Sequence, residues 1–183
     1  VDRTAKTVSN MLGFSRKNEP VKTAVDLPGL IESSVGLAAY DYELKKRYNF
    51  KGIQIDKKFD KGLKKVLCIP GEIEQVVLNL LKNAVQAVWE NKDDPSPPQI
   101  KIRVTQGGKS VKLVVEDNGP GMEEHIKKRI FGPFFTTKSK GSGTGLGLSV
   151  AYYIVTTTHN GTFSVRSKPG QGAAFVVTLP CEE

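Results

Sequence analysis

Asp117 and the glycines that follow it have the residue types and spacing best suited to binding chemistry in this sequence. Asp117 comes after a β-like run, Val111–Glu116, so we expect it at a strand end that faces a cavity. A carboxylate there is a strong acceptor for a hydrogen bond from an exocyclic amine. Gly119 and Gly121 let the backbone turn and approach a flat ligand closely. The pattern therefore predicts a site for a planar group that carries an amine.

A second glycine-rich patch, Gly141–Gly147, leads into Leu148–Thr158, which has the pattern of a helix. The free amides and the positive dipole end of a helix N-terminus form an anion site, and glycines there remove side chains that would block a phosphate. A carboxylate that reads a base and a helix start that reads phosphates together predict a nucleotide site. Two ordinary surface turns are the alternative, since glycine-rich loops alone are weak evidence.

A long amphipathic helix is predicted over Glu72–Glu90. Its buried face is marked by apolar residues at helical spacing, namely Ile73, Val76, Val77, Leu80, Ala84, Ala87 and Val88. The opposite stripe carries Glu72, Gln75, Asn79, Lys82, Asn83 and Gln86. Asn79 and Asn83 point the same way, and an Asn oxygen is a suitable protein ligand for a magnesium ion bound with a nucleotide. A solvated polar face is the alternative.

The other elements alternate between strand and helix patterns. Strands are predicted over Val21–Leu27, Phe50–Phe59 and Val66–Pro70, hairpins over Gln99–Thr105 with Val111–Val115 and over Gly161–Ser167 with Ala174–Leu179, and further helices from Pro28 or Gly29 to about Tyr48 and over Met122–Ile130. This order predicts an α+β fold, a two-layer α/β sandwich with helices on one face of a mixed, mostly antiparallel sheet.

Four motifs in this order resemble those of the GHKL ATPase superfamily, whose fold is the Bergerat fold. NLLKNA is similar to its N box, DNGPGM to its first glycine box, FGPFF to its F box and GTGLGL to its second glycine box. The spacing and the FGPFFTTK segment most resemble the ATP-binding catalytic domain of bacterial sensor histidine kinases, over residues 21–180. The resemblance implies a protein-histidine kinase that positions Mg-ATP.

The resemblance also implies a division of the chain. Residues 1–16 are expected to be the C-terminal end of a dimerisation helix, residues 17–26 a linker and first strand, and residues 27–183 the ATP-binding catalytic domain. The acceptor histidine is then expected on a helical hairpin that this chain lacks. The chain should accordingly bind ATP without phosphorylating itself on the usual histidine, because neither His125 nor His159 has the context of an acceptor.

Roles for individual residues follow from the resemblance. Asp117 reads adenine, Asn83 binds magnesium, and Asn79 supports the phosphates or the waters of the metal. Lys82 and Lys138 reach the terminal phosphates, with plain solvation as the alternative. The predicted cofactor-binding set is Asn79, Lys82, Asn83, Gln86, Asp117, Gly119, Gly121, Met122, Ile130, Phe131, Phe135, Thr136, Thr137, Lys138, Gly143, Thr144, Gly145, Leu146, Gly147 and Leu148.

A lid is expected over about Phe131–Ser142, with Phe131, Phe134 and Phe135 anchoring its start against the core and the neighbouring helical hairpin. The family usually carries a hydroxyl residue after PGQG that assists the adenine aspartate through water, whereas this chain has Ala173. That departure concerns one secondary contact and not the site itself.

The implied ligands are ATP or ADP and Mg²⁺, and the implied partners are the chain's own hairpin, a response regulator receiver domain and a second copy in the full-length homodimer. The net charge of +8 does not indicate nucleic acid, because the lysines are spread in small groups without a recognition motif. Cys68 and Cys181 lack metal-ligand spacing and are expected as reduced thiols. A cytoplasmic domain is expected, and an inner-membrane anchor of the parent protein is left open.

Three alternatives remain open within the superfamily. One is an ATP-operated clamp, but such proteins place a water-activating glutamate four residues before the metal-binding Asn, where this chain has Asn79. The others are a serine/threonine-directed relative and a regulatory ATP-binding module without transfer activity. A P-loop NTPase is excluded, because the sequence has no GxxxxGK[ST] motif.

Overall fold

The computed structural model describes residues 21–41, 48–91, 95–137 and 144–181. The predictions for residues 1–16, Lys138 and Gly143 lie outside these ranges. In chain order the elements are β1 (Thr23–Val25), α1 (Leu27–Tyr40), a 3₁₀ turn (Phe50–Gly52), β2 (Gln54–Phe59), β3 (Val66–Cys68), α2 (Pro70–Glu90), β4 (Gln99–Gly107), β5 (Ser110–Asp117), α3 (Glu124–Lys127), α4 (Gly147–Tyr153), a π-helical turn (Ile154–Thr158), β6 (Thr162–Ser167) and β7 (Ala173–Pro180).

A five-stranded sheet in the order β2-β4-β5-β7-β6 forms one layer. β2 pairs with β4 in parallel, and the remaining neighbours are antiparallel. β5 is the central strand, and its last residue, Asp117, pairs with Ile100 on one side and with Ala173 on the other. The predicted mixed, mostly antiparallel sheet is confirmed, and its register holds Asp117 at the end of the most enclosed strand.

Helix α2 supplies the centre of the second layer and packs against β5, α1 and α4. Its apolar stripe is fully buried at Ile73, Val77, Leu80 and Ala84. Burying one aliphatic side chain of this size contributes about 1.5–3 kcal/mol, so this stripe fixes how α2 is rotated on the sheet. The opposite, polar stripe is thereby turned away from the core.

The structure corrects several predicted boundaries. The helix predicted over Met122–Ile130 spans only Glu124–Lys127. Helix α1 begins at Leu27, where the side chain of Asp26 accepts a hydrogen bond from the backbone of Gly29 at 3.0 Å, and it ends at Tyr40 rather than near Tyr48. Phe50–Gly52 is a 3₁₀ turn instead of the start of a strand, since the backbone N–H of Ile53 turns back to the carbonyl of Phe50. β3 stops at Cys68 because α2 already begins at Pro70.

β1 and β3 form a separate, antiparallel two-stranded sheet in which Thr23 pairs with Cys68. The Cys68 thiol is buried, and burial raises its pKa to about 11. Both cysteines are free, and the described residues contain no group of three or more His, Cys, Asp or Glu that would hold a metal ion. In the described part of the chain, the helices are too short or too polar to cross a membrane.

His159 directly follows the π-helical turn that continues α4, and its side chain contacts Ile69, the residue before α2. Its Nε2 accepts a hydrogen bond from the backbone N–H of Ile69 at 3.0 Å, and its Nδ1 lies 2.9 Å from the carbonyl oxygen of Ile154. Burial lowers the pKa of His159 below its usual 6.5, while Glu72 acts in the opposite direction. A neutral ring with its proton on Nδ1 satisfies both contacts. His159 therefore caps an N–H of the kind that helix starts leave unpaired.

Replacing His159 by Leu is expected to lower the free energy of unfolding by about 2 kcal/mol at pH 7.5, because two buried backbone groups lose their partner. The pKa of His159 is lower in the folded chain, so its contribution is present above pH 6.5 and is lost as the pH falls below it. Urea unfolding at pH 7.5 and 5.5 measures both effects. His125→Leu, at an exposed site on α3, is the matched control. An equal loss at both pH values would contradict the assigned protonation state.

Candidate functional site

An open cavity of about 740 Å³ lies between α2, the end of β5 and the start of α4. Cavities of this size commonly hold small molecules. Its lining consists of Tyr48, Asn79, Lys82, Asn83, Gln86, Ala87, Glu90, Asp117, Pro120, Gly121, Met122, Ile126, Ile130, Phe135, Thr136, Thr137, Thr144, Gly145, Gly147, Leu148, Ala173 and Phe175.

Asp117 is the buried carboxylate of this cavity, with only 5% of its surface exposed. Burial raises its pKa to about 6, although hydrogen bonds from the backbones of Gly119 and Ala173 act against this rise. The N–H of Gly119 lies 2.9 Å from Oδ1. These two N–H groups orient the carboxylate and leave it further acceptor capacity, since a carboxylate has about four lone-pair sites.

The turn after β6 lies directly against the backbone of Asp117. Gly172 has a φ of 67°, and a Cβ atom there would collide with the carbonyl oxygen of Asp117. Only glycine combines this backbone conformation with so close an approach. Gly172 was not predicted as a site residue from the sequence, although the Pro-Gly-Gln-Gly turn was a visible signal.

The polar stripe of α2 forms one wall of the cavity. Asn79 donates a hydrogen bond from Nδ2 to the carbonyl oxygen of Gly147 at 3.0 Å, which fixes the start of α4 against α2. Gln86 donates to Glu90 at 3.0 Å. The side-chain amide of Asn83 forms no hydrogen bond with another described residue, so its oxygen is available to a ligand or a metal ion. The ammonium of Lys82 lies 2.7 Å from the carboxylate of Asp41.

The phenylalanine-rich segment divides between the cavity and the core. Phe135 lines the cavity, with the guanidinium of Arg129 4.8 Å from its ring centre. Phe131 instead packs between Tyr152 and Phe163, at 5.0 and 4.9 Å between ring centres. It therefore anchors the segment to the core, as predicted, and lies away from the lining.

Phe134 is 62% exposed and adopts a φ of 61°, which is unusual for a bulky residue. Gly145 packs on its backbone so closely that an added Cβ atom would lie 2.6 Å from the carbonyl carbon of Phe134. The first residues of the expected lid and the glycine-rich patch before α4 are thus in direct contact.

Most of the predicted set is brought together in this cavity. Within the described ranges, the exceptions are Gly119, which bonds to Asp117 from behind, Phe131 and Leu146. Residues of the lining that the sequence analysis did not select are Tyr48, Ala87, Glu90, Pro120, Ile126, Ala173 and Phe175. Ala87 carried a misleading signal, because its helical spacing assigned it to the core, whereas Tyr48 belongs to no motif.

A family model described as "Histidine kinase-, DNA gyrase B-, and HSP90-like ATPase" matches residues 69–183. The chain is 35% identical over 179 residues to the sensor histidine kinase ZraS of Escherichia coli O157:H7, which covers 98% of the chain and 36% of the relative. The chain thus spans about a third of the length of that relative.

Two solved structures extend the likeness. Full-length ShkA in complex with AMPPNP superposes with a TM-score of 0.72 at 26% identity, over 98% of this chain and 36% of that one. The histidine kinase ThkA in complex with the response regulator protein TrrA gives a TM-score of 0.71 at 27% identity, over 99% of this chain and 48% of that one.

Replacing Asp117 by Asn is expected to raise the free energy of unfolding of the ligand-free chain by about 2–3 kcal/mol at pH 7.5, because Asn has no charge to desolvate. The pKa of Asp117 rises from 3.8 to about 6 on folding, so the cost of its buried charge is absent below 3.8 and complete above 6. The gain should therefore vanish near pH 4. Urea unfolding at both pH values tests this, with Glu32→Gln as the control, because Glu32 lies on α1 outside the cavity lining and is half-exposed. A gain of equal size at pH 4 would contradict it.

Proposed function

Because the chain belongs to the family of histidine kinase-, DNA gyrase B- and HSP90-like ATPases, we propose that its cavity binds Mg-ATP for phosphorylation of a histidine. The observation that carries the proposal is the convergence in one cavity of the buried Asp117 carboxylate, the Asn79 and Asn83 amides and the glycine-led start of α4. The carboxylate suits a planar base that carries an amine, and the two amides suit a metal ion bound to phosphate. The start of α4 suits the phosphate chain.

Asp117 is proposed to accept a hydrogen bond from the exocyclic amine of adenine. Its burial supports this role, since a buried charge that gains a donor is relieved of part of its desolvation cost. A guanine would present a carbonyl oxygen at the same place, and two acceptors would then face each other. The Ala87 and Ala173 side chains beside it are small and apolar, which suits a flat ring.

Asn83 is proposed as the magnesium ligand. Asn83 lines the cavity and its amide has no bond to another described residue, and a nucleotide-bound magnesium ion needs only one or two protein oxygens. When bound, the ion neutralises charge on the phosphate oxygens during transfer. Asn79 is already bonded to Gly147, so it is better suited to hold the phosphate-binding segment in place.

The backbone of Gly143, Gly145 and Gly147 is proposed to reach the phosphates, with Lys82 and Lys138 as the basic side chains nearby. Transfer then needs an attacking imidazole nitrogen in line with the γ-phosphorus. The new N–P bond forms as the bond to the bridging oxygen breaks, and ADP leaves with that electron pair. The imidazole is already nucleophilic, so this chain contributes position and charge neutralisation.

The acceptor is proposed to be a histidine on a helical hairpin that precedes this chain in a homodimeric parent protein. His159 is unsuited to the role, since it is buried with both ring nitrogens engaged. The phosphoryl group would pass from the hairpin to an aspartate of a response regulator receiver domain in the cytoplasm. The ShkA complex with an ATP analogue and the ThkA complex with a response regulator support these partners.

The proposed division of the chain is residues 1–16 as the end of the dimerisation helix, 17–26 as linker and first strand, and 27–183 as the catalytic domain. Pairing of β1 with β3 supports an attachment of that first strand to the domain. An ATP-driven clamp is less well supported, because Asn79 offers no carboxylate to activate water.

Asp117→Asn is expected to weaken binding of both ATP and adenosine at least tenfold at pH 7.5, since the base loses a charged acceptor. For adenosine, affinity of the unaltered chain should fall as the pH drops below the Asp117 pKa of about 6, because a protonated carboxyl loses the acceptor charge. Titration calorimetry with and without Mg²⁺ measures this. Glu32→Gln, on α1 and outside the cavity lining, is the control and should bind normally. Tight binding that ignores the Asp117 change would refute the site assignment while leaving the fold.

Asn83→Ala is expected to reduce phosphoryl transfer from ATP to the histidine-bearing hairpin of the parent protein by about 10–100-fold, because the metal loses its protein ligand. Adenosine affinity should stay unchanged, since the proposed contact of the base is with Asp117 and not with Asn83. The assay follows label from γ-labelled ATP on the added hairpin and its lability in acid. Gln75→Ala, exposed on the same helix and outside the cavity lining, serves as control. Label that is stable in acid would point to a hydroxyl acceptor instead.

A further inference from the structure

Lys82 is the one basic side chain among the described residues that line the cavity. It lies on α2 beside Asn83, so a polyphosphate bound near that amide comes within reach of its ammonium. The other charged lining residues in the described ranges, Glu90 and Asp117, are acidic. Among the described lining residues, Lys82 is therefore the cation that can pair with an anion beside Asn83.

This ammonium already has a partner, since its Nζ lies 2.7 Å from Oδ2 of Asp41. Asp41 directly follows α1, and its backbone N–H bonds to the carbonyl of Ala38. The Asp41 side chain is 22% exposed, compared with 46% for Lys82. The short carboxylate is thus held in place, whereas the long lysine has room to turn on its flexible stem.

We propose that Asp41 competes with bound phosphates for Lys82 and thereby sets how strongly the site distinguishes ligands by phosphate charge. The proposal rests on the proposed function, because it takes the ligand to be a nucleotide. In the ligand-free chain the carboxylate balances the ammonium. When terminal phosphates lie beside Asn83, the ammonium turns to them and away from the Asp41 carboxylate.

Lys82 lines the cavity, whereas Asp41 lies outside the lining. Asp41 is not part of the lining, so it repels a bound phosphate mainly by occupying Lys82. A ligand without phosphates gives Lys82 no reason to leave Asp41. Each additional phosphate charge attracts the Lys82 ammonium more strongly and draws it further from Asp41. Only ligands that carry phosphates must therefore open the ion pair in order to bind.

The expected effect is moderate, because partly exposed ion pairs are screened by water and salt. Removing the Asp41 charge should tighten ATP binding about two- to fivefold and leave adenosine binding unchanged. ADP should lie between the two. The gain should shrink as the salt concentration rises, since ions screen the attraction between Asp41 and Lys82.

The test is a double-mutant cycle on the 183-residue chain, with calorimetric titration of adenosine, ADP and ATP in Mg²⁺. The variants are Asp41→Asn, Lys82→Met and the pair together. Glu32→Gln is the matched control, because it removes the same charge from α1, where Glu32 pairs with Lys57 and lies outside the cavity lining. Thermal unfolding of each variant checks that the folded state is retained.

Tighter ATP binding by Asp41→Asn, absent for adenosine, for Glu32→Gln and in the Lys82→Met background, is the expected result. Unchanged or weaker ATP binding by Asp41→Asn would overturn the proposal and make Asp41 a support for Lys82. A gain that persists without Lys82 would overturn it as well, since Asp41 would then act by its own charge. Failure of the unaltered chain to bind adenosine or ATP would refute the proposed function itself.

Discussion

The buried carboxylate of Asp117 is the constraint on which the rest of the site depends. A charge with 5% exposure is tolerated only where backbone N–H groups solvate it, and here Gly119 and Ala173 do so. Gly119 reaches it because the chain turns sharply after β5, and Ala173 because β7 pairs in register with that strand. The turn before β7 must in addition contain Gly172, since a side chain there would strike the Asp117 backbone. One unfavourable charge thus fixes the conformation of three chain segments.

Helix α2 meets two demands with its two faces. The aliphatic stripe holds it on the sheet, and the polar stripe is consequently presented to the cavity. Rotation about the helix axis would bury Asn79 and Asn83 and expose Val77 and Leu80, which is costly on both counts. The hydrophobic core therefore determines where the two amides point, because it sets the rotation of α2 about its axis.

Periodicity made this part of the structure predictable. The spacing of apolar residues indicated α2 and both hairpins, and the ordered motifs indicated which helix face and strand end would meet. Local patterns failed where tertiary contacts decide. The 3₁₀ turn at Phe50–Gly52 lies beside the ring of Trp89, a tertiary contact that no periodicity encodes.

The same limit applies to individual side chains of the site. Ala87 has the helical spacing of a core residue, yet it lines the cavity instead of packing only against another element. Phe131 and Phe135 share one motif but face opposite ways, and only the positions of Tyr152 and Phe163 reveal this. Sequence thus predicts which residues gather near the site more readily than which of them face the ligand.

Two hydrogen bonds hold the proposed phosphate-binding side of the cavity before any ligand binds. Asn79 bonds to Gly147 at the start of α4, and His159 bonds to Ile69 at the start of α2. These contacts lie at the two ends of the stretch formed by α4 and its π-helical turn. They therefore fix both the direction of this stretch and its position along α2. The proposed metal ligand on α2 and the proposed phosphate-binding turn are then at a set separation. A frame of this kind reduces the ordering that a bound nucleotide would otherwise have to impose, which favours a reactive geometry over mere binding.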